Sequence, residues 1–213
     1  MGELDAAVEH ADLHALAGRT VERPRAVDAV GQGVVEGDRL DVVPRQGPRR
    51  ARVPFLVIGV CADLGGLRWA VEQGYDVINM SLSTTKRQFA EVLHDLADTA
   101  YFKRTVLVAS AHNMPVESYP WRFSSVISVG SHEEDDPLTF YANPDPPVEF
   151  FARGMNVDVA WLGGETVTAT GNSFATPAIS GIAALVLSKH PRLTPFQLKS
   201  VLYQISSNVG GNQ

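Results

Sequence analysis

Gly171-Asn172-Ser173-Phe174-Ala175-Thr176-Pro177-Ala178-Ile179-Ser180-Gly181 sets a serine among small residues at the mouth of a long apolar helix. A hydroxyl there feels the positive end of the helix macrodipole, which favours the negative charge that develops as it attacks a carbonyl. Pro177 has no N–H, so it releases an upstream carbonyl of the helical ladder near Ser173. Gly181, Ala183 and Ala184 carry little volume and are expected to let the helix approach another element closely. Two blander readings stand beside the nucleophilic one. Serine at a helix start is ordinary capping chemistry, although capping asks for none of Ala175, Pro177 and Gly181. The nucleophile elbow Gly-x-Ser-x-Gly fits less well, because its fifth position is here Ala175 and a proline follows inside the helix.

Outward from this stretch the elements are legible. Residues 67–73 read as a short helix ended by Gly74, and 75–83 (YDVINMSLS) as a buried strand. Thr85 and Gln88 have capping-box spacing, and Phe89, Val92, Leu93, Leu96 and Ala100 fall on one face of the helix that follows. Strands are expected at 105–110, 126–131, 148–151, 157–161 and 166–170. The last helix has Thr194 as N-cap, Pro195 in its first position, Gln197 to close the box, and Leu193 against Leu198 as a staple. Apolar strands alternating with amphipathic helices predict an α/β domain, a mostly parallel sheet flanked by helices. Residues 1–64 form an atypical or incomplete amino-terminal part, 65–208 the domain proper and 209–213 a tail.

The chain of 213 residues is long enough for one real core. Its net charge of -6 excludes the basic field that nucleic acid or an anionic membrane surface would require. A single cysteine, Cys61, forbids an internal disulfide and sits in the apolar run 53–61, as an inert buried thiol would. No stretch has the length of a membrane span, and the amino end lacks the basic and apolar regions of a secretory signal, so the chain reads as cytoplasmic. No cluster has metal-ligand spacing, and Glu133 to Asp136 read as a solvated acidic loop; no metal or cofactor is expected.

The eleven-residue stretch resembles the nucleophile motif of the subtilisin-like serine proteases (subtilases), GTSxAxPxxxG, with Asn172 where the family usually has Thr. Two further segments carry the resemblance. Asp76 to Ser83 is similar to the family strand bearing the S-L-G substrate edge, with Ser83 in place of Gly; the resemblance implies that Ser81, Leu82 and Ser83 bind an extended peptide as an added strand. Val106-Leu107-Val108-Ala109-Ser110-Ala111-His112-Asn113 is similar to the strand ending in A-A-G-N. It implies that Asn113 and the Ser173 N–H hold the oxyanion, a donor role worth about 3–4 kcal/mol. Ser173 is then the nucleophile of a serine endopeptidase acting through an acyl-serine intermediate on peptide or protein substrates, with calcium common in relatives.

The resemblance fails upstream of residue 65. The family's H-G-T-x-V-A-G segment precedes the substrate strand, yet no histidine occurs between His14 and His94. Its aspartate motif has only an echo in Leu4-Asp5-Ala6-Ala7-Val8. The remaining histidines have other readings: His94 on a polar helix face, His132 opening the acidic loop, His190 at a helix end, His112 beside the oxyanion donor. Without its histidine a serine keeps an alcohol's pKa; in subtilisin itself that loss costs about 2 × 10⁶ in kcat. Impaired hydrolysis is therefore expected, with a non-catalytic peptide-binding pseudoprotease as the alternative. Residues 19–60 are rich in Arg, Gly, Pro, Val and Asp, the bias of GC-rich codons read in a shifted frame, and such a segment is expected to pack badly.

Overall fold

The computed structural model describes residues 55–58 and 64–209; the expectations attached to Asp5, Cys61 and the biased segment apart from 55–58 lie outside the described residues. Six strands form one sheet in the order β1-β2-β3-β4-β6-β5. They are β1 (Phe55–Ile58), β2 (Val77–Met80), β3 (Val106–Ser110), β4 (Val126–His132), β5 (Phe140–Ala142) and β6 (Phe150–Arg153). All neighbours run parallel except β5, which pairs antiparallel with β6. A separate antiparallel hairpin joins β7 (Val157–Ala160) to β8 (Thr166–Ala169). The helices are α1 (Leu64–Gln73), α2 (Ala90–Phe102), α3 (Asn172–Lys189) and α4 (Pro195–Ile205).

Strand alternation decides which helix covers which face. Val77, Val106, Val108, Ile127 and Val129 pack with Ala175, Ile179, Ala183 and Val186 of α3 and with Leu198 and Leu202 of α4. Ile78, Met80, Leu107 and Ala109 point the other way, onto Leu67 and Val71 of α1 and Leu93 and Leu96 of α2. Both faces are covered, so the central strands are largely apolar, and Asn79 in β2, Ser110 in β3 and Ser128 in β4 are buried polar side chains among them.

Several local expectations hold. Gly74 ends α1 with φ 71°, the left-handed position glycine takes freely. The capping box of α4 is complete: Thr194 accepts from Gln197 N–H, and the Gln197 side chain accepts from Thr194 N–H at 2.9 Å. Others need correction. Thr85 and Gln88 form no capping box. Thr84 and Tyr119 exchange two backbone hydrogen bonds of 2.9 Å, which keeps the chain extended there, and a short 3-10 turn (Arg87–Phe89) leads into α2 instead. The second strand stops at Met80, leaving Ser81 to Ser83 beyond the sheet. Gly181 makes no close approach: a Cβ there would meet nothing within 4 Å among the described residues. β5 was not expected, because three residues are too short to register as alternation. Its outer edge is closed by Asn208, whose side chain bonds both Ala142 N and Ala142 O.

Among the described residues no helix is long and apolar enough to cross a membrane, and no group of three or more His, Cys, Asp or Glu side chains gathers as a metal site.

Candidate active site

The carboxyl ends of β2, β3, β4 and β6 converge on the amino terminus of α3, the place where ligands bind in open parallel sheets. Ser173 stands in the first turn of that helix, where N–H groups have no intrahelical acceptor. Its carbonyl is also free of the ladder, because its partner four residues on is Pro177. That carbonyl is taken by Ser81, whose Oγ donates to it at 2.9 Å. The proline therefore turns a helical acceptor into a tertiary one, and the segment leaving β2 is fastened to the serine by it.

Behind Ser81 lies a buried relay. Asn79 Nδ2 donates to Ser81 Oγ at 3.0 Å. Ser180 Oγ sits 2.9 Å from Asn79 Oδ1 and 3.0 Å from Thr176 O, sharing its one proton between them. Asn79, Thr176 and Ser180 are all inaccessible to solvent, so the two Ser180 contacts are made where water cannot replace them.

Asn113 reaches the same helix end from the β3 side. Its Oδ1 accepts from the Asn172 N–H at 2.9 Å, which fixes the amide and leaves Nδ2 to donate elsewhere. A Cβ placed on Gly171 would lie 3.3 Å from Asn113 Nδ2 and 3.6 Å from Ser173 Oγ. The amide and the hydroxyl thus flank one point, which only a glycine leaves open. Asn172, the departure from the family motif, clamps the helix to the sheet: its Nδ2 donates to Ala111 O at 3.1 Å and His112 O at 3.3 Å, and its Oδ1 accepts from Ser131 Oγ at 2.9 Å. Gly154 completes the mount. Its carbonyl accepts from Gly171 N–H at 2.9 Å, and a Cβ on it would fall 2.7 Å from Ser131 Cβ and 2.9 Å from Ala175 Cβ.

Ser81, Leu82 and Ser83 are half-buried at the β2 exit. Ser83 does not face Ser173; its Oγ accepts from Ser118 Oγ at 3.0 Å, and Ser118 in turn accepts from Trp121 Nε1 at 2.7 Å. Close by, the Tyr119 hydroxyl donates to Glu117 at 2.6 Å, and this bond, with Arg87 and Arg122 nearby, holds the Glu117 carboxyl below its ordinary range.

No described histidine serves Ser173. His112 Nδ1 accepts from Met114 N–H at 3.0 Å. His132 is tied through Nε2 to Thr139 O and through Nδ1 to Glu134 N–H, and His190 caps the far end of α3. Among the described residues nothing hydrogen-bonds Ser173 Oγ. Sequence reading missed Asn79, Ser180, Ser131 and Gly154. Only Asn79 left a trace, as a lone amide inside an apolar strand.

A family model described as the subtilase family matches residues 62–213. The chain is 32% identical over 155 residues to subtilisin DY of Bacillus licheniformis, covering 70% of this chain and 56% of that protein. It is 34% identical over 140 residues to the minor extracellular protease Epr of Bacillus subtilis strain 168, covering 64% of this chain and 21% of that one. Among solved structures, a cold adapted subtilisin-like serine proteinase superposes with a TM-score of 0.55 at 28% identity, over 66% of this chain and 52% of that chain. The chain therefore spans little more than half the length of subtilisin DY, and less of Epr.

Proposed function

This chain belongs to the subtilase family, and on that premise we propose that it is a serine-type endopeptidase in kind, hydrolysing peptide bonds through an acyl-serine intermediate, with its chemistry impaired in this chain. The observation that carries the reading is the pairing of Asn113 and Ser173 at the amino end of α3. An extended peptide or protein is the substrate, with its acyl half along Ser81, Leu82 and Ser83. Its scissile carbonyl lies between Asn113 Nδ2 and the Ser173 N–H, both fixed before the substrate arrives. Ser173 Oγ attacks the carbonyl carbon, and the amine of the following residue leaves.

Impairment follows from the proton. Attack requires a base to take it from Ser173 Oγ, and none of the described histidines is placed to do so. That observation also favours a second reading, a pseudoprotease that binds peptides and does not cut them. Labelling with a fluorophosphonate separates the two. Slow labelling at Ser173, lost in Ser173→Ala, accompanies residual hydrolysis; no labelling above that of a free alcohol leaves only binding. Robust peptide turnover abolished by Ser173→Ala would overturn the impairment and send the search for a base to His112→Ala.

A further inference from the structure

Residues 112–116 carry Asn113 out beyond the end of β3, and much of what holds them is internal. Met114 N–H donates to His112 Nδ1 at 3.0 Å, and Val116 N–H to Met114 O at 2.7 Å. Among the described residues, both hydrogen bonds that tie this segment to the rest of the molecule come from Asn172. Its Nδ2 donates to His112 O at 3.3 Å, and its main-chain N–H donates to Asn113 Oδ1 at 2.9 Å. One residue earlier, Ala111 is held from two sides. Its N–H goes to Val129 O of β4 at 2.8 Å, and its carbonyl accepts from Asn172 Nδ2 at 3.1 Å.

The orientation of the Asn172 amide is dictated by its partners. Carbonyls only accept, so those of Ala111 and His112 require the N–H₂ end. The Ser131 hydroxyl, 2.9 Å from Oδ1, donates to the other end. The β3 exit, β4 and the amino end of α3 thus meet on one planar, half-buried group. Threonine, the usual family residue at this position, has a shorter side chain and a single O–H, which serves one carbonyl at most.

We propose that Asn172 is the positioning residue of the oxyanion amide in this chain. Through two consecutive carbonyls it fixes where residue 113 leaves β3. Through its own N–H it fixes how the Asn113 side chain is turned, so that Nδ2 is the end left for a substrate carbonyl. The inference rests on the hydrolytic reading above. A donor aimed in advance needs no reorganisation as charge develops, and a small misplacement forfeits much of its effect. Asn172 touches no reacting atom and acts through Asn113. Restoring the usual family residue, Asn172→Thr, is therefore harmful here.

The test uses the full chain, labelled with nitrogen-15, and three substitutions: Asn172→Thr, Asn172→Asp and Ser131→Ala. In Asn172→Thr the side-chain amide signals of Asn113 shift. Those of Asn79, which holds the other side of the helix end through Ser81, stay in place. Ser131→Ala removes only the hydroxyl that orients the amide, and shifts the Asn113 signals less. Asn172→Asp is isosteric but faces the two carbonyls with no proton to donate. Protonating the carboxylate restores one donor, so acidification moves the Asn113 signals back toward those of the parent. Fluorophosphonate labelling of Ser173 slows about tenfold or more in Asn172→Thr, while the affinity for acetyl-AAAAAA-amide, measured by isothermal titration, is unchanged. Asn113 signals that stay put in Asn172→Thr and Asn172→Asp would overturn the assignment. So would equal movement of the Asn79 amide, which marks a displaced helix end and no particular hold on Asn113. A parent chain that takes no label overturns the hydrolytic reading alone, and the amide signals then decide the placement of Asn113 by themselves.

Discussion

At Asn79 one amide joins two elements, and its removal has a definite cost. It donates to Ser81 and lies within hydrogen-bond reach of Ser180, in a site closed to water. Asn79→Ala leaves these hydroxyls short of partners and opens a small void, so unfolding stability falls by about 1–3 kcal/mol; urea denaturation monitored by circular dichroism measures it. Gly154 fails in the opposite sense. A methyl group there meets Ser131 Cβ, Ala175 Cβ and Gly171 O within 3 Å, and two of these contacts belong to the helix end that presents Ser173. Gly154→Ala destabilises by about 1–3 kcal/mol through overpacking. It also displaces Gly171, so amide chemical shifts of Gly171 and Asn172 move, whereas those of α4 do not. Unshifted signals at 171 and 172 would dissociate Gly154 from the site.

Elements differ in how much of their stability is local. α4 carries its own start signal, and Thr194→Ala, which removes the side-chain half of the reciprocal cap, costs about 1 kcal/mol. The denaturation midpoint shifts and the slope stays unchanged. α3 has no such signal: Gly171 caps it with no side-chain hydrogen bond, and its first turn is held by Ser81, Asn113 and Thr176 instead. Further along α4, Lys199 donates to Glu149 at 2.8 Å and to the carbonyls of Ser124 and Val126. Burial pushes the Glu149 carboxyl above its ordinary range, and Lys199 and the Ser128 N–H pull it partly back. Because the folded value is raised, the folded state binds the proton more tightly than the unfolded chain does. The stability Glu149 contributes is therefore full below the ordinary carboxylate range and declines as pH rises through the raised value. Lys199→Met removes the compensation, so stability falls more steeply across the carboxylate range than in the parent chain. Parallel pH profiles for the two proteins would show that the pair is screened by water.

For the whole molecule, the mostly parallel sheet flanked by helices is consistent with the subtilase family, whose match begins at residue 62. The missing H-G-T segment belongs to the sequence upstream of that point. Translation of the same nucleotides in the other two forward frames tests the origin of residues 19–60: a frame disruption predicts His-Gly-Thr followed by small apolar residues in one of them. If neither frame contains it, the histidine was lost by divergence and the peptide-binding reading gains.

Much of this protein was legible in single residues and their spacing. The α4 cap is written locally, because a capping box acts within a few residues of itself, and the segments around Ser173 and Asn113 marked the helix end and the β3 exit that the fold brings together. The strands from β2 onward, β5 excepted, were legible in sequence, while their ends were not: where β2 stops is set by pairing with β3, not by composition. Pro177 announced a freed carbonyl, but only the fold could supply Ser81 as its partner from 92 residues away. The same holds for Asn79 with Ser180, for Gly154 against Ala175, and for Asn172 with Ser131. Each joins residues far apart in the chain, and sequence patterns of period 2 or 3.6 record which face a residue lies on, never which distant residue it meets there.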